Sequence, residues 1–100
     1  IMQKERVGLI YVYSAIDAPS RELLPMMREI EEKYQDQVKL NVIDQYKGKS
    51  LCDRLACDVE PMTIFYTQNG EVVETSDKCD EPSIIQTLNK YVESPISMVG

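Results

Sequence analysis

The stretch VGLIYVYSAIDAPS, residues 7–20, runs from an apolar segment into the beginning of a helical pattern. Val7 to Tyr13 is a continuous run of mainly β-branched and aromatic residues, which is typical of a buried central strand. From Ala18 to Tyr34 the apolar residues recur at steps of three and four, which predicts an amphipathic helix. Pro25 lacks a backbone N–H group, so we expect it to kink this helix.

Two further elements are predicted in the middle of the chain. Val38 to Ile43 reads as a second strand, which Asp44 closes. Ser50 to Ala56 reads as a short helix with Ser50 as its N-cap. Helices between strands require crossover connections, so these strands should pair in parallel.

The C-terminal half predicts a hairpin and a last helix. Thr63–Thr67 and Glu71–Thr75 flank an Asn-Gly pair, the strongest short-range signal of a β-hairpin. Asp80 and Pro82 open a helix. Its apolar stripe consists of Ile84, Ile85, Leu88, Tyr91 and Val92. The order βαβαββα predicts an α/β domain with a mixed four-stranded sheet and helices on both faces. Residues 1–100 should form this single domain, with a core within residues 7–93.

The composition excludes several classes of function. The chain has 100 residues, a formal net charge of −6 and no His, and its Lys and Arg residues are scattered among acids. Phosphate binding needs clustered cations, so no nucleic acid is expected as a partner. No apolar run approaches the roughly 18–20 residues that cross a bilayer, so no membrane is expected either. The lack of His removes the usual metal sites and triads, and we expect no metal and no cofactor.

Several residues fall in the register of one known family. Pro19 lies in the first turn of the long helix, Pro25 in its interior and Tyr34 near its end. Asp44 closes the second strand, and Asn69-Gly70-Glu71 forms the hairpin turn. With these positions the chain resembles the thioredoxin family from Val7 to about Val92. The resemblance implies a thioredoxin-like fold without the family's additional N-terminal strand and helix.

The departures from the family lie where its members carry their chemistry. Asp17 and Ser20 fall on the positions of the two active-site cysteines, so the motif reads Asp17-Ala18-Pro19-Ser20. Tyr11 and Ile16 stand where the family has a buried Asp and a Trp. The resemblance therefore implies that dithiol chemistry is lost at this place, and no catalytic residue is expected.

The loop before the third strand departs as well. The family places a cis-proline directly before a Thr, whereas here Met62 separates Pro61 from Thr63. Either Pro61 is cis after a one-residue adjustment, or the loop is altered.

Asp17 has two interpretations. A carboxylate at the beginning of a helix is a good N-cap, worth about 0.5–2 kcal/mol over Ala. It could instead act as a fixed anion that mimics a thiolate, so that partners recognise the surface without reacting. Ser20 has no base at a recognisable spacing, so we expect it to serve as a hydrogen-bonding residue in the first turn.

Three cysteines remain as reactive candidates: Cys52, Cys57 and Cys79. Free cysteines often behave as small buried hydrophobic residues, and this is one interpretation of Cys57. A regulatory Cys52–Cys57 disulfide is another. Cys79 lies among polar residues and is expected to be exposed, with acidic neighbours that disfavour its thiolate. An odd number of cysteines favours a reducing compartment, so a cytoplasmic location is expected.

The resulting functional prediction is a non-catalytic module that binds a protein or peptide. The residues expected to form its binding groove are Ile16, Asp17, Pro19, Glu60, Pro61, Met62 and Thr63. The resemblance supplies precedents in the non-catalytic domains of protein disulfide isomerases and in spliceosomal Dim-type thioredoxin-like proteins. The alternative is an atypical thiol–disulfide oxidoreductase or redox sensor that uses Cys52, Cys57 or Cys79. The sequence is also compatible with a homodimer.

Overall fold

A mixed four-stranded sheet forms the centre of this computed structural model, which describes residues 6–45 and 60–96. The elements in chain order are β1 (Val7–Tyr13), α1 (Ala18–Glu22), α2 (Leu24–Tyr34), a 3-10 helix (Gln35–Gln37), β2 (Val38–Asp44), β3 (Thr63–Gln68), β4 (Glu71–Ser76) and α3 (Glu81–Asn89). The strand order is β2-β1-β3-β4. Strand β1 pairs in parallel with β2 and antiparallel with β3, which pairs antiparallel with β4. The mixed sheet confirms the predicted fold class, whereas the helix predicted at residues 50–56 lies outside the described residues.

One face of the sheet carries the main core. Side chains alternate along a strand, and those of Val7, Leu9 and Tyr11 are all buried on this face. The register places Leu9 beside Leu40 of β2 and Tyr66 of β3. Helices α2 and α3 cover the same face with buried side chains: Met27, Ile30, Tyr34, Ile84, Ile85 and Leu88. On the opposite face Val12 is also buried, so β1 is the central strand that its apolar run predicts.

The long helix is interrupted where the sequence places a proline. Helix α1 ends at Glu22, α2 begins at Leu24, and Pro25 lies in the first turn of α2. Proline has no N–H group to donate to a carbonyl in the preceding turn, so the helix cannot continue regularly through this position. The predicted kink is confirmed, and it takes the form of a break at Leu23.

Polar contacts fix the two helical regions against each other. The buried Tyr34 hydroxyl donates to Asn89 Oδ1 at 2.7 Å and lies 3.1 Å from the carbonyl oxygen of Ile85. Burial raises the pKa of Tyr34 to about 12, which keeps the hydroxyl protonated as a donor. At the surface Lys33 pairs with Glu81 at 2.8 Å. Helices α2 and α3 therefore form one layer over the core.

The hairpin and the last helix follow their sequence signals. Asn69 and Gly70 have φ angles of 58° and 78°, the positive values that a two-residue hairpin turn requires. The Asp80 carboxylate caps α3 by accepting the backbone N–H of Ser83 at 3.1 Å. Helix α3 ends at Asn89, and the chain then turns so that Val92 is still buried. None of the helices within the described ranges is long and apolar enough to cross a bilayer.

Candidate functional site

The candidate site lies where β1 ends, α1 begins and residues 60–62 approach both. The backbone N–H of Met62 donates to the carbonyl of Val12 at 2.8 Å. On the other side of β1, the N–H of Gln45 donates to the carbonyl of Tyr13, also at 2.8 Å. These two bonds bring the segments that follow β2 and precede β3 to the C-terminal end of β1. Residues far apart in the sequence therefore share one edge of the sheet.

Asp17 begins the first helix. Its side chain Oδ2 accepts the backbone N–H of Ser20 at 3.2 Å, and its backbone is extended. This geometry satisfies one of the N–H groups that a helix leaves without a partner at its beginning. The N-cap interpretation of Asp17 is confirmed. Ala18 and Pro19 follow in the first turn with exposed side chains.

Two buried serines hold the turn between β1 and α1. Ser14 and Ser20 are 1% and 0% exposed. The Ser20 hydroxyl accepts the Ser14 N–H at 3.1 Å and lies 2.9 Å from the backbone carbonyl of Asp17, to which it donates. The Ser14 carbonyl accepts the N–H of Asp17 at 3.0 Å. Because the Ser20 hydroxyl is enclosed and engaged with the backbone, it serves the turn as expected and is not presented as a nucleophile.

Tyr11 connects the same helix to the sheet. Its side chain is fully buried, and its hydroxyl donates to the carbonyl of Ser20 at 2.7 Å. Burial, and after it the nearby Cys79 and Asp17, raise the pKa of Tyr11 well above its ordinary value. The phenol therefore stays protonated and acts as a donor. Tyr11 is thus a structural tie between β1 and α1.

A groove opens beside this turn. It is a cavity of about 540 Å³ lined by Ser14, Ile16, Asp17, Gln45, Glu60 and Pro61, and we call it the β1-end groove. The side chain of Ile16 is 80% exposed, far more than any other large apolar side chain in the described residues. Four of the predicted groove residues, Ile16, Asp17, Glu60 and Pro61, are therefore brought together.

The other predicted groove residues lie close by but outside this lining. Pro19 is exposed in α1, and Thr63 begins β3 and donates its hydroxyl to the carbonyl of Glu60 at 2.8 Å. Met62 is half-buried and packs against the core. Ser14 and Gln45 line the groove without having been predicted. The only signal for them in the sequence is position: each directly follows a strand, β1 or β2, whose C-terminal end lies beside the groove.

A family profile described as Thioredoxin matches residues 1–90. The chain belongs to the thioredoxin family. No match is found among the sequences of curated proteins.

Solved thioredoxin structures share the fold of this family member at low sequence identity. Deadhead, a germline-specific thioredoxin of Drosophila melanogaster, superposes with a TM-score of 0.76 at 18% identity, covering 88% of this chain and 83% of that one. A mutant thioredoxin of Halobacterium salinarum gives 0.77 at 23% identity, with 90% and 78% covered. Schistosoma mansoni thioredoxin gives 0.76 at 18% identity, with 91% and 82% covered. At these identities the likeness establishes the fold alone.

The loop that precedes β3 has its own geometry in this thioredoxin-family chain. None of the peptide bonds in the described ranges is cis, so Pro61 follows a trans bond. Met62 has a φ of 69°, in the left-handed region that residues other than Gly rarely adopt. Of the two alternatives for this loop, the structure therefore shows the altered one. The conformation is held by the Met62 N–H bond to Val12 and by a contact from the other side.

That second contact comes from Cys79, whose thiol donates to the Met62 carbonyl with an Sγ–O distance of 2.9 Å. The expectation that Cys79 is exposed is wrong, because its side chain is only 6% exposed. Asp77, Lys78 and Asp80 around it are exposed, and the chain between β4 and α3 turns position 79 inwards against residue 62. Burial, and then Asp77 and Asp80, raise the pKa of the Cys79 thiol to about 11.

The described part of the chain shows no second site built from cysteines or from metal-binding side chains. Cys52 and Cys57 lie outside the described residues, and so does their predicted disulfide. Within residues 6–45 and 60–96, no three His, Cys, Asp or Glu side chains come together as they would around a metal ion. The described lining of the groove contains two carboxylates, Asp17 and Glu60, and two apolar side chains, Ile16 and Pro61.

We expect Asp17→Ala to lower the free energy of unfolding by about 0.5–2 kcal/mol, because the Ser20 N–H loses its acceptor. Asp17→Asn keeps a side-chain oxygen for this bond and should cost only a few tenths of that amount. Urea unfolding followed by circular dichroism measures both variants. An equal loss in the two variants would show that the charge, and not the cap, is what stabilises the helix.

The free energy of unfolding should also fall as the pH rises from about 9 towards 11. The Cys79 thiol ionises with a pKa of 9.0 when it is not perturbed and of about 11 in the folded chain. Its folded pKa is raised, so its contribution is complete below pH 9 and is lost as pH rises through the folded value. The loss should be on the order of 2 kcal/mol.

Cys79→Ala is the comparison that isolates this thiol, since buried tyrosines titrate in the same direction. Urea unfolding at a series of pH values should show a shallower decline for Cys79→Ala than for the unmodified chain. Parallel declines would contradict the assignment.

Proposed function

We propose that this thioredoxin-family domain binds an extended peptide segment of a partner protein in the β1-end groove, without thiol chemistry at that place. The observation that carries the proposal is the 80% exposure of Ile16, which lines a groove of about 540 Å³. A cavity of this volume is in the usual range for ligand sites, ~300–1,000 Å³.

The rigidity of the groove supports this proposal. Ile16 and Asp17 lie on a turn that Ser14, Ser20 and Tyr11 fix through buried hydrogen bonds. Glu60 and Pro61 lie on a loop fixed by the Met62 N–H bond to Val12 and by the Cys79 thiol. A surface held in one conformation loses little entropy on binding, which favours affinity. An apolar anchor of this kind is typical of the centre of a binding surface.

The position of Asp17 supports binding without catalysis. A carboxylate occupies the beginning of the helix, where the family places its nucleophilic thiol, and it is engaged in capping. A carboxylate there offers a partner a negative charge without forming a covalent bond. Ser20 is buried and its hydroxyl is engaged with the backbone, so it presents no nucleophile to the groove.

The alternative function, thiol–disulfide exchange, receives no support from Cys79. Exchange requires an accessible thiolate, whereas this thiol is buried and its pKa is raised.

The loss of exchange activity can be measured directly. In the reduction of insulin disulfides driven by dithiothreitol, the chain should give the rate of the protein-free blank, with an ordinary thioredoxin as the positive control. A rate clearly above the blank would contradict the proposal. Repeating the assay with Cys52→Ser, Cys57→Ser and Cys79→Ser would then identify the thiol responsible.

Peptide binding can be tested by selection from a library of random linear peptides displayed on phage. Peptides selected on the unmodified chain should bind Ile16→Ser about tenfold more weakly or worse, because the apolar contact of one large side chain is lost. Val73→Ser is the matched control, since Val73 is an apolar residue of β4, outside the groove lining, with 39% exposure. Equal binding to both variants, or no enrichment of any peptide, would contradict the proposal.

A further inference from the structure

The charged residues in the described lining of the β1-end groove have the same sign. Among the described residues that line it, the charged ones are Asp17 and Glu60, and both are acidic. The chain as a whole carries a formal net charge of −6. The local field and the long-range field therefore both attract a cation and repel an anion.

These carboxylates have no cation from the described part of the chain. The ion pairs formed there are Lys33–Glu81 and Lys90–Glu74, and both involve α3 or β4, away from the groove. Asp17 uses Oδ2 to cap α1, where it accepts the Ser20 N–H. The Ser20 hydroxyl is directed to the backbone carbonyl of Asp17 and not to its carboxylate. A basic group of a ligand can therefore pair with these carboxylates without breaking an ion pair between residues in the described ranges.

The apolar part of the groove lies directly beside the acidic part. Ile16 is the neighbour of Asp17 in the sequence, and Pro61 is the neighbour of Glu60. Each side of the groove thus presents one apolar side chain next to one carboxylate. In an extended peptide, side chains two positions apart point to the same side and lie about 7 Å apart, so one short segment can contact both kinds of surface.

We propose, on the basis of the function proposed above, that the groove selects extended peptide segments that carry a Lys or Arg within two positions of a large apolar residue. The apolar side chain contacts Ile16 and Pro61, and the cation pairs with Asp17 and Glu60. Acidic segments, phosphate groups and a second copy of this chain are disfavoured by repulsion.

The first test is the composition of the peptides that the unmodified chain selects. They should be enriched in Lys or Arg within two positions of a large apolar residue, relative to the unselected library. A selected peptide is then compared with its Lys→Gln or Arg→Gln form for binding to Asp17→Asn, Glu60→Gln and the unmodified chain. Both substitutions remove a charge but keep side-chain oxygens, and Asp17→Asn also keeps the helix cap.

At low salt each neutralised carboxylate should weaken binding of the basic peptide by about two- to fivefold, the range of exposed ion pairs. Binding of the Gln form should be nearly unaffected by the same substitutions. The difference between basic and Gln peptides should also shrink as salt is added, because exposed charges are screened.

The outcomes separate this inference from the proposed function. Selected peptides that require Ile16 but show no basic enrichment, and that bind the neutralised variants equally, overturn the charge preference and leave peptide binding intact. No enrichment of any peptide overturns both. Self-association of the chain that Ile16→Ser abolishes, measured by sedimentation, would place a second copy in the groove and also overturn the inference.

Discussion

The hydrogen bond from the Tyr11 hydroxyl to the Ser20 carbonyl, 2.7 Å long and inside the core, ties the central strand to the first helix. Both groups are buried, so water cannot replace either one if the bond is lost, and an unpaired buried carbonyl costs about 1–3 kcal/mol. The raised pKa of Tyr11 keeps its proton in place. The positions of Asp17 and Ile16 depend on this bond, because both residues lie on the turn between its two ends.

A second set of contacts fixes the opposite wall of the groove from the C-terminal half of the chain. Met62 adopts a left-handed backbone, and its N–H and carbonyl are held by Val12 and by Cys79. Cys79 is therefore a structural residue in this domain: its thiol is protonated, enclosed and used as a hydrogen-bond donor. The groove is thus supported from both sides by groups that are not themselves exposed. Buried residues such as Tyr11 and Cys79 hold the groove in shape, whereas its exposed lining includes Ile16 and Glu60.

Much of the fold follows from local sequence patterns, because the conformations involved depend on residues that are near neighbours in the chain. The apolar run of β1 and the Asn69-Gly70 turn each correspond to a short-range rule, and the structure agrees with both. Pro25 stops the regular helix because of its own covalent geometry, wherever the helix packs. The local pattern gives the wrong prediction for Cys79. Its polar neighbours suggest an exposed side chain, whereas the path of the chain buries it.

The sequence by itself determined the positions of the four strands, the helix break, the cap at Asp17 and the absence of cysteine at residues 17–20, because each depends on residues close together in the chain. Only the tertiary structure decided that Ser14 and Gln45 join Ile16, Asp17, Glu60 and Pro61 around one groove. It alone decided that Cys79 supports Met62. These contacts join strands and loops up to dozens of positions apart, and their pairing is set by sheet register and core packing, which no local pattern encodes.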